Sequence, residues 1–255
     1  MISWADLATP LASYSFYEIC CYAAGISGNL FAFVLFISPI PTFKRIVQNK
    51  STEKFSGLPY VYGLLNCLLC MWYGFPFVSY GIILVVTVNS IGAVFQLTYL
   101  VIFIAYADKR TKVKMGGLLI GVLCFFALVA YVSLVFYDHS NRMTLVGYLN
   151  AASLVFMSAS PLFIIKLVVK TSSVEYMPFS LSLATFLMSI SFFAYGLLLH
   201  DLFLSIPNGI GTLLGVAQLL VYAYYSQRSR DDRLPLVAQK CFIYWSTHHV
   251  SSKVV

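Results

Sequence analysis

Six stretches of this chain carry no Asp, Glu, Lys, Arg or His: Ile19 to Phe43, Phe55 to Ala107, Met115 to Tyr137, Met143 to Ile165, Tyr176 to Leu199 and Leu202 to Gln227. That feature leaves few folds open. A helix that crosses a bilayer needs about 20 apolar residues, and each stretch is long enough. The run from Phe55 to Ala107 is too long for one crossing and breaks at Gly74-Phe75-Pro76 and Tyr80-Gly81, where turn-formers cluster. Seven spans result. The alternation of transmembrane β-strands is absent, so the backbone must satisfy its hydrogen bonds inside helices. Composition agrees: 10% of the 255 residues are charged, 60% are hydrophobic and mean hydropathy is +0.85, against roughly 25% charged in a soluble domain. The fold class read from the sequence is an all-α membrane protein.

Basic residues near span ends are retained on the cytoplasmic side, so their distribution predicts orientation. Lys44, Arg45, Lys50 and Lys54 follow span 1; Lys109, Arg110, Lys112 and Lys114 follow span 3; Lys166 and Lys170 follow span 5. The tail adds Arg228, Arg230, Arg233, Lys240 and Lys253, and Arg142 alone falls on the opposite side. The N-terminus is therefore expected outside or in a lumen and the C-terminus in the cytosol. The net charge of +7 reflects topology, and no nucleic-acid partner is expected. Asp6, Glu18 and the lack of a basic segment before span 1 argue against a removable signal. Cys20, Cys21, Cys67, Cys70 and Cys124 fall within spans, which disfavours a disulfide framework, and Cys67-x-x-Cys70 without a nearby His does not point to a metal. No cofactor is expected.

The chain repeats itself. SPIPTFKRIVQNKSTEKF at 38–55 returns as SPLFIIKLVVKTSSVEYM at 160–177, an offset of 122 that pairs Ser38 with Ser160, Pro39 with Pro161, Lys44 with Lys166 and Glu53 with Glu175. The register holds to Tyr73-Gly74 and Tyr195-Gly196. After a loop three residues shorter, it resumes as NSIG at 89–92 and NGIG at 208–211. Spans 1 to 3 and 5 to 7 are thus copies, and span 4 is unpaired. A unit of three spans crosses an odd number of times, so its copy is inverted unless one more crossing intervenes. Span 4 is that crossing. The expected organisation is an external segment at 1–16, a first three-helix repeat at 17–107, a linker helix at 108–138, a second repeat at 139–226 and a flexible cytosolic tail at 227–255. Parallel repeats of this kind suit a transporter whose halves rock about a shared central site.

Pro39 and Pro161 lie inside spans 1 and 5 near their basic ends, and Pro59 and Pro178 enter spans 2 and 6 from the same side. Proline removes a backbone hydrogen bond and kinks a helix, so these four are candidate hinges. Asn89 and Asn208 each lie about seven residues inside the outer end of their span, roughly 10 Å deep. Cys70 and Phe192, another pair at the 122 offset, are expected at the same depth. Amides donate to and accept from hydroxyls, and an aromatic ring offers a stacking face. A polyhydroxylated, uncharged solute such as a sugar fits. Asn66, Gln96, Asn150 and Gln218 have no repeat partner of their own kind and read as helix-packing glue. No ionisable side chain falls in the middle of a span, which excludes the usual machinery of ion coupling. Glu18, His200 and Asp201 sit at span ends, where water is expected to solvate them.

GNLFAFVLFISPIPTFKRI, STEKFSGLPYVYGLLNCLLCMWYG, TVNSIGAVFQLTYLVIF, ASPLFIIKLVVKTSSVEYMPFSLSL and IPNGIGTLLG closely resemble the plant SWEET sugar facilitators, over about residues 17–226. The resemblance implies a bidirectional, uncoupled sugar uniporter of 3-1-3 helices, assembling as a homo-oligomer. It implies sugar contacts at Asn89 and Asn208, pocket neighbours at Cys70 and Phe192, and a proline tetrad of Pro39, Pro59, Pro161 and Pro178. The Cys70 and Phe192 combination looks most like the glucose-transporting branch, which has vacuolar members; plasma and vacuolar membranes both stay open. A seven-helix receptor fits poorly because receptors lack an internal three-helix duplication. An uncoupled channel shares this composition and stays open as the alternative.

Overall fold

The structure is a computed structural model and describes residues 15–53, 55–174 and 177–231. Residues 1–14 of the expected external segment at 1–16, Lys54, Glu175, Tyr176 and the tail from 232 onward lie outside the described residues. Nine α-helices and no strand are found among the described residues: α1 (Phe16–Ile37), α2 (Ile40–Asn49), α3 (Leu58–Gly74), α4 (Ile83–Tyr106), α5 (Lys109–Phe136), α6 (His139–Met157), α7 (Ala159–Thr171), α8 (Phe179–Leu198) and α9 (Leu202–Asp231). They form seven rods, because α1 with α2, and α6 with α7, are single crossings broken once.

Six rods are long and apolar enough to cross a membrane: Phe16–Asn49, Ile83–Tyr106, Lys109–Phe136, His139–Thr171, Phe179–Leu198 and Leu202–Gln227. The seventh, α3, has 17 residues and covers about 25 Å, short of the roughly 30 Å of hydrocarbon. A hydrogen-bonded turn from Phe75 to Ser79 extends it. The connection to α4 falls where the turn-formers predicted it, with Gly81 at φ 81°. Outward faces are apolar, with Leu30, Phe33, Val94, Ile120, Leu128, Phe163, Leu213 and Leu220 exposed, as hydrocarbon solvation demands.

Local chemistry starts the helices. Ser15 and Glu18 form a reciprocal capping box at α1, and the Asp108 carboxylate accepts from the Arg110 and Thr111 amides at α5. Lys44, Arg45, Lys109, Lys112 and Lys166 mark one end of the bundle, the basic end; α1 begins at the far end. At the basic end Arg45 grips Glu53 through Nε at 3.0 Å and Nη2 at 2.6 Å, and Asn49 adds a third bond. These bonds hold the Glu53 carboxyl below its usual range, so the clasp persists as pH falls past the ordinary carboxylate pKa and opens only below that.

Packing follows the duplication. The helix pair α1 and α8 has its counterpart in α6 and α3, the pair α3 and α4 in α8 and α9, and the pair α1 and α4 in α6 and α9. The short halves obey the same rule, α2 lying on α4 and α7 on α9, while α5 rests mainly against α3. Contacts between the two units are therefore made by the long halves α1 and α6 with the opposite unit's α8 and α3.

Both breaks have the same cause. The last residue of α1, Ile37, lies four before Pro41, and the last residue of α6, Met157, lies four before Pro161; a proline ring clashes with that carbonyl and cannot bond it. Pro39 is the N-cap of α2, so Pro39 and Pro41 together make the first kink. Side-chain hydroxyls bond carbonyls beside both breaks. Ser38 Oγ donates to Leu35 O at 2.8 Å, Tyr99 Oη donates to Phe36 O at 2.7 Å, and Ser158 Oγ donates to Leu154 O at 3.0 Å. Tyr99 is itself stacked on Phe43 at 4.5 Å between ring centres. Pro59 and Pro178 instead stand at the starts of α3 and α8, where the lost N–H costs nothing.

The Tyr-Gly pair ending each repeat's second span brings it against the third. A Cβ on Gly196 would lie 2.7 Å from Ser205 N and 3.0 Å from Ser205 Cα, backbone that cannot rotate away. Gly196→Ala is expected to force α8 from α9 and lower stability by about 1–3 kcal/mol. Gly117→Ala, with nothing within 4 Å of the new methyl, should be neutral or stabilising by up to about 1 kcal/mol. Thermal unfolding in detergent checks both; equal midpoints for the two variants would contradict this packing.

Candidate functional site

Asn89 lies six residues into α4, and Asn208 six residues into α9, about 9 Å down each axis. Both are anchored alike. Asn89 Nδ2 donates to Val85 O at 2.9 Å and Asn208 Nδ2 to Leu204 O at 2.8 Å, each one turn back. One N–H and the carbonyl oxygen of each amide remain for other partners. The glycine three residues on explains the rest of the N-x-I-G motif: a Cβ on Gly92 would lie 2.7 Å from Cys67 Sγ, and one on Gly211 would lie 2.8 Å from Ser189 Oγ. Cys67 and Ser189 are themselves a pair at the 122 offset. The motif thus sets an amide in place and lets the neighbouring helix approach beside it.

A cavity of about 230 Å³ lies between the units. Asn89, Asn208, Cys70 and Phe192 all line it, so the structure brings together the four side chains that the repeat pairs. Cys70 and Phe192 are buried. Phe192 lies six residues from the end of α8, whereas Cys70 lies only four from the end of α3, which stops at Gly74. Leu35, Phe36 and Met157 also line the cavity, which places both helix breaks beside it. None of its lining residues is Asp, Glu, Lys, Arg or His.

Two expectations need correction. Asn66, Gln96 and Asn150, which the repeat alone assigns to helix packing, all line the cavity. Asn66 does link helices, its Oδ1 accepting from Ser153 Oγ at 2.9 Å, but Asn150 has no hydrogen-bond partner among the described residues. Gln218 stays off the cavity. Asp201, expected to be solvated, is 7% exposed. Tyr73 Oη donates to its Oδ2 at 2.8 Å and the Leu204 amide to its Oδ1 at 3.1 Å, so the carboxylate is paired and also caps α9.

The Tyr73–Asp201 bond crosses between the units at the far end, and it has a near-symmetric mate. Tyr195, 122 residues after Tyr73, donates to Gly81 O at 3.3 Å in the first unit. Arg142 adds a bond to Phe77 O at 2.9 Å. Tyr73 and Tyr195 were visible as a repeated pair in the sequence; their role was not, because each partner belongs to the other unit. Together these bonds tie the two units to one another at the far end.

The two copies also emerge in comparison with known proteins. The family described as "Sugar efflux transporter for intercellular exchange" matches residues 23–111 and again 144–230. The chain is 65% identical over 222 residues to "Bidirectional sugar transporter SWEET2a" of Oryza sativa subsp. japonica, covering 87% of this chain and 91% of that one. It is 55% identical over 215 residues to "Bidirectional sugar transporter SWEET2" of Arabidopsis thaliana, covering 84% and 91%. Among solved structures it resembles "The 3.7 A resolution structure of a eukaryotic SWEET transporter", with a TM-score of 0.82, 56% identity, and coverage of 84% of this chain and 100% of the other.

Tyr73→Phe leaves Asp201 Oδ2 buried without its donor. The expected cost is about 1.5–3 kcal/mol of thermal stability, with faster modification of Cys70 by an impermeant maleimide applied from the far side. Unchanged midpoint and labelling rate would show that the bond latches nothing.

Proposed function

Because the chain belongs to the SWEET family of sugar transporters, we propose that it is an uncoupled, bidirectional uniporter for glucose or another hexose, working by alternating access. It is a multi-pass membrane transporter and not an enzyme. The observation that carries the finer reading is the cavity between the two units, faced by paired amides and free of ionisable side chains. With no group there to bind a proton or cation, sugar flux runs down its own gradient. The volume of about 230 Å³ falls below the 300–1,000 Å³ of sites for drug-sized ligands, which favours one sugar ring over two. Asn89 and Asn208 would hydrogen-bond hydroxyls from opposite sides, Phe192 would stack on a ring face, and Cys70 would fill the remaining wall.

Alternating access asks for a seal that forms on either side in turn. The far-end bonds of Tyr73 and Tyr195 supply one seal. The broken rods supply the means for the other: α2 and α7 each pack within their own unit, so they can close toward one another by bending at Pro39 and Pro161. Pro59 and Pro178, fixing the starts of α3 and α8, would act as the pivots beside them. This arrangement favours a carrier over a channel, since a pore has no use for a latch that excludes the opposite opening. Orientation by the basic end puts the latch on the external or lumenal side and the cytosol at the other, in a plasma or vacuolar membrane. The partners are the sugar, the bilayer and further copies of the chain in a homo-oligomer.

In liposomes, Asn89→Ala and Asn208→Ala are each expected to abolish saturable glucose uptake while the protein remains folded; wild-type uptake in either would remove the amides from the site. Pro39→Ala or Pro161→Ala should lower the maximal rate severalfold with KM little changed. Identical turnover in both would end the hinge assignment.

A further inference from the structure

Two related units build a nearly symmetric cage, but a sugar has no twofold axis. Something in the wall has to distinguish one face of the ring from the other. The strongest break in symmetry is Asn150, on α6. At the 122 offset its counterpart is Gly28, which has no side chain and packs against the Phe192 ring, with a Cβ there lying only 2.8 Å from Cε2. One wall of the cavity therefore presents an amide where the related position backs an aromatic ring.

Asn150 is 0% exposed, and neither its Nδ2 nor its Oδ1 has a hydrogen-bond partner among the described residues. It lines the cavity with Leu154 and Met157, the i, i+4 and i+7 positions of one α6 face. Ser153, on the adjoining face, bonds to Asn66 and fixes the rotation of the helix. An unpaired buried polar group costs about 1–3 kcal/mol, and buried groups left unpaired in native proteins call for an explanation. Packing glue is not one here, since Asn150 is bonded to no helix. It lies eleven residues into α6, about 16 Å from the far end against about 9 Å for Asn89 and Asn208. A second tier of polar recognition thus lies on the basic side of the paired amides.

We infer that Asn150 is a specificity-determining residue, reading a hydroxyl pair on one edge of the sugar through its donor and acceptor together. The inference rests on the reading of the cavity as a hexose site. A vicinal diol offers the matching acceptor and donor, so the amide selects both the orientation of the ring and the configuration of those two carbons.

The test uses the full chain in liposomes and competes labelled glucose uptake with a series of monodeoxyglucoses. Wild-type protein is expected to lose affinity about tenfold or more for the sugars lacking the hydroxyls that Asn150 reads. Asn150→Leu, of similar size and without polar atoms, is expected to bind glucose about tenfold more weakly. It should treat those deoxy sugars and glucose alike, and its thermal midpoint in the absence of sugar should not fall. Asn150→Ser, smaller and unable to crowd the cavity, should show the same loss of discrimination and serves if the leucine variant does not fold. A wild-type deoxy profile and glucose affinity in either variant overturns the role of Asn150 while leaving the hexose site intact. Absence of saturable hexose uptake by the wild-type protein overturns both.

Discussion

Within hydrocarbon, a polypeptide must satisfy every backbone N–H and C=O from its own atoms, and an uninterrupted helix is the simplest solution. Two of the seven rods are broken, while Pro207 inside α9 gives up one bond without breaking its rod. Pro41 and Pro161 each forbid the bond to a carbonyl four residues earlier, and the chain supplies Ser38, Tyr99 and Ser158 hydroxyls for carbonyls near the breaks. These bonds come from side chains, which can exchange partners more freely than a helical ladder. Because Leu35, Phe36 and Met157 line the cavity, the places where the backbone yields most easily adjoin the place where the sugar would sit.

The duplication then determines what bending can accomplish. The long halves α1 and α6 pack on the opposite unit, and the short halves α2 and α7 on their own. Movement at the breaks would consequently change the relation between units at one end while the other is held by Tyr73 with Asp201 and Tyr195 with Gly81. Symmetry also has limits that matter. The first of these bonds ends on a carboxylate and the second on a backbone carbonyl, so the latch is unequal. The amide at 150 has a glycine at 28 as its counterpart in the repeat, so the cavity wall is unequal too.

Much of this was legible in the chain. The uncharged runs located the seven rods, Gly74 and Gly81 marked a true turn, and the repeat, offset by 122 and by 119 after its shorter loop, picked out four side chains that the structure gathers around one void. What escaped was tertiary. Asp201 sits at a helix start, where solvation is the ordinary expectation, and only folding brings the Tyr73 phenol from the other unit against it. Asn150 has no partner at the offset, and a search for repeated residues passes over those whose purpose lies in being unrepeated. Pro41 was overshadowed by Pro39, which aligns with Pro161 in register although Pro41 matches it in its distance from the helix end.

Counterflow of labelled glucose is the most direct measure of a cavity that opens to one side at a time. Liposomes containing the protein and preloaded with unlabelled glucose should accumulate label transiently above its external concentration, with or without a protonophore. Flux that rises linearly with sugar concentration and shows no overshoot would mean an open pore, and an overshoot abolished by the protonophore would mean coupling that these residues have no means to provide.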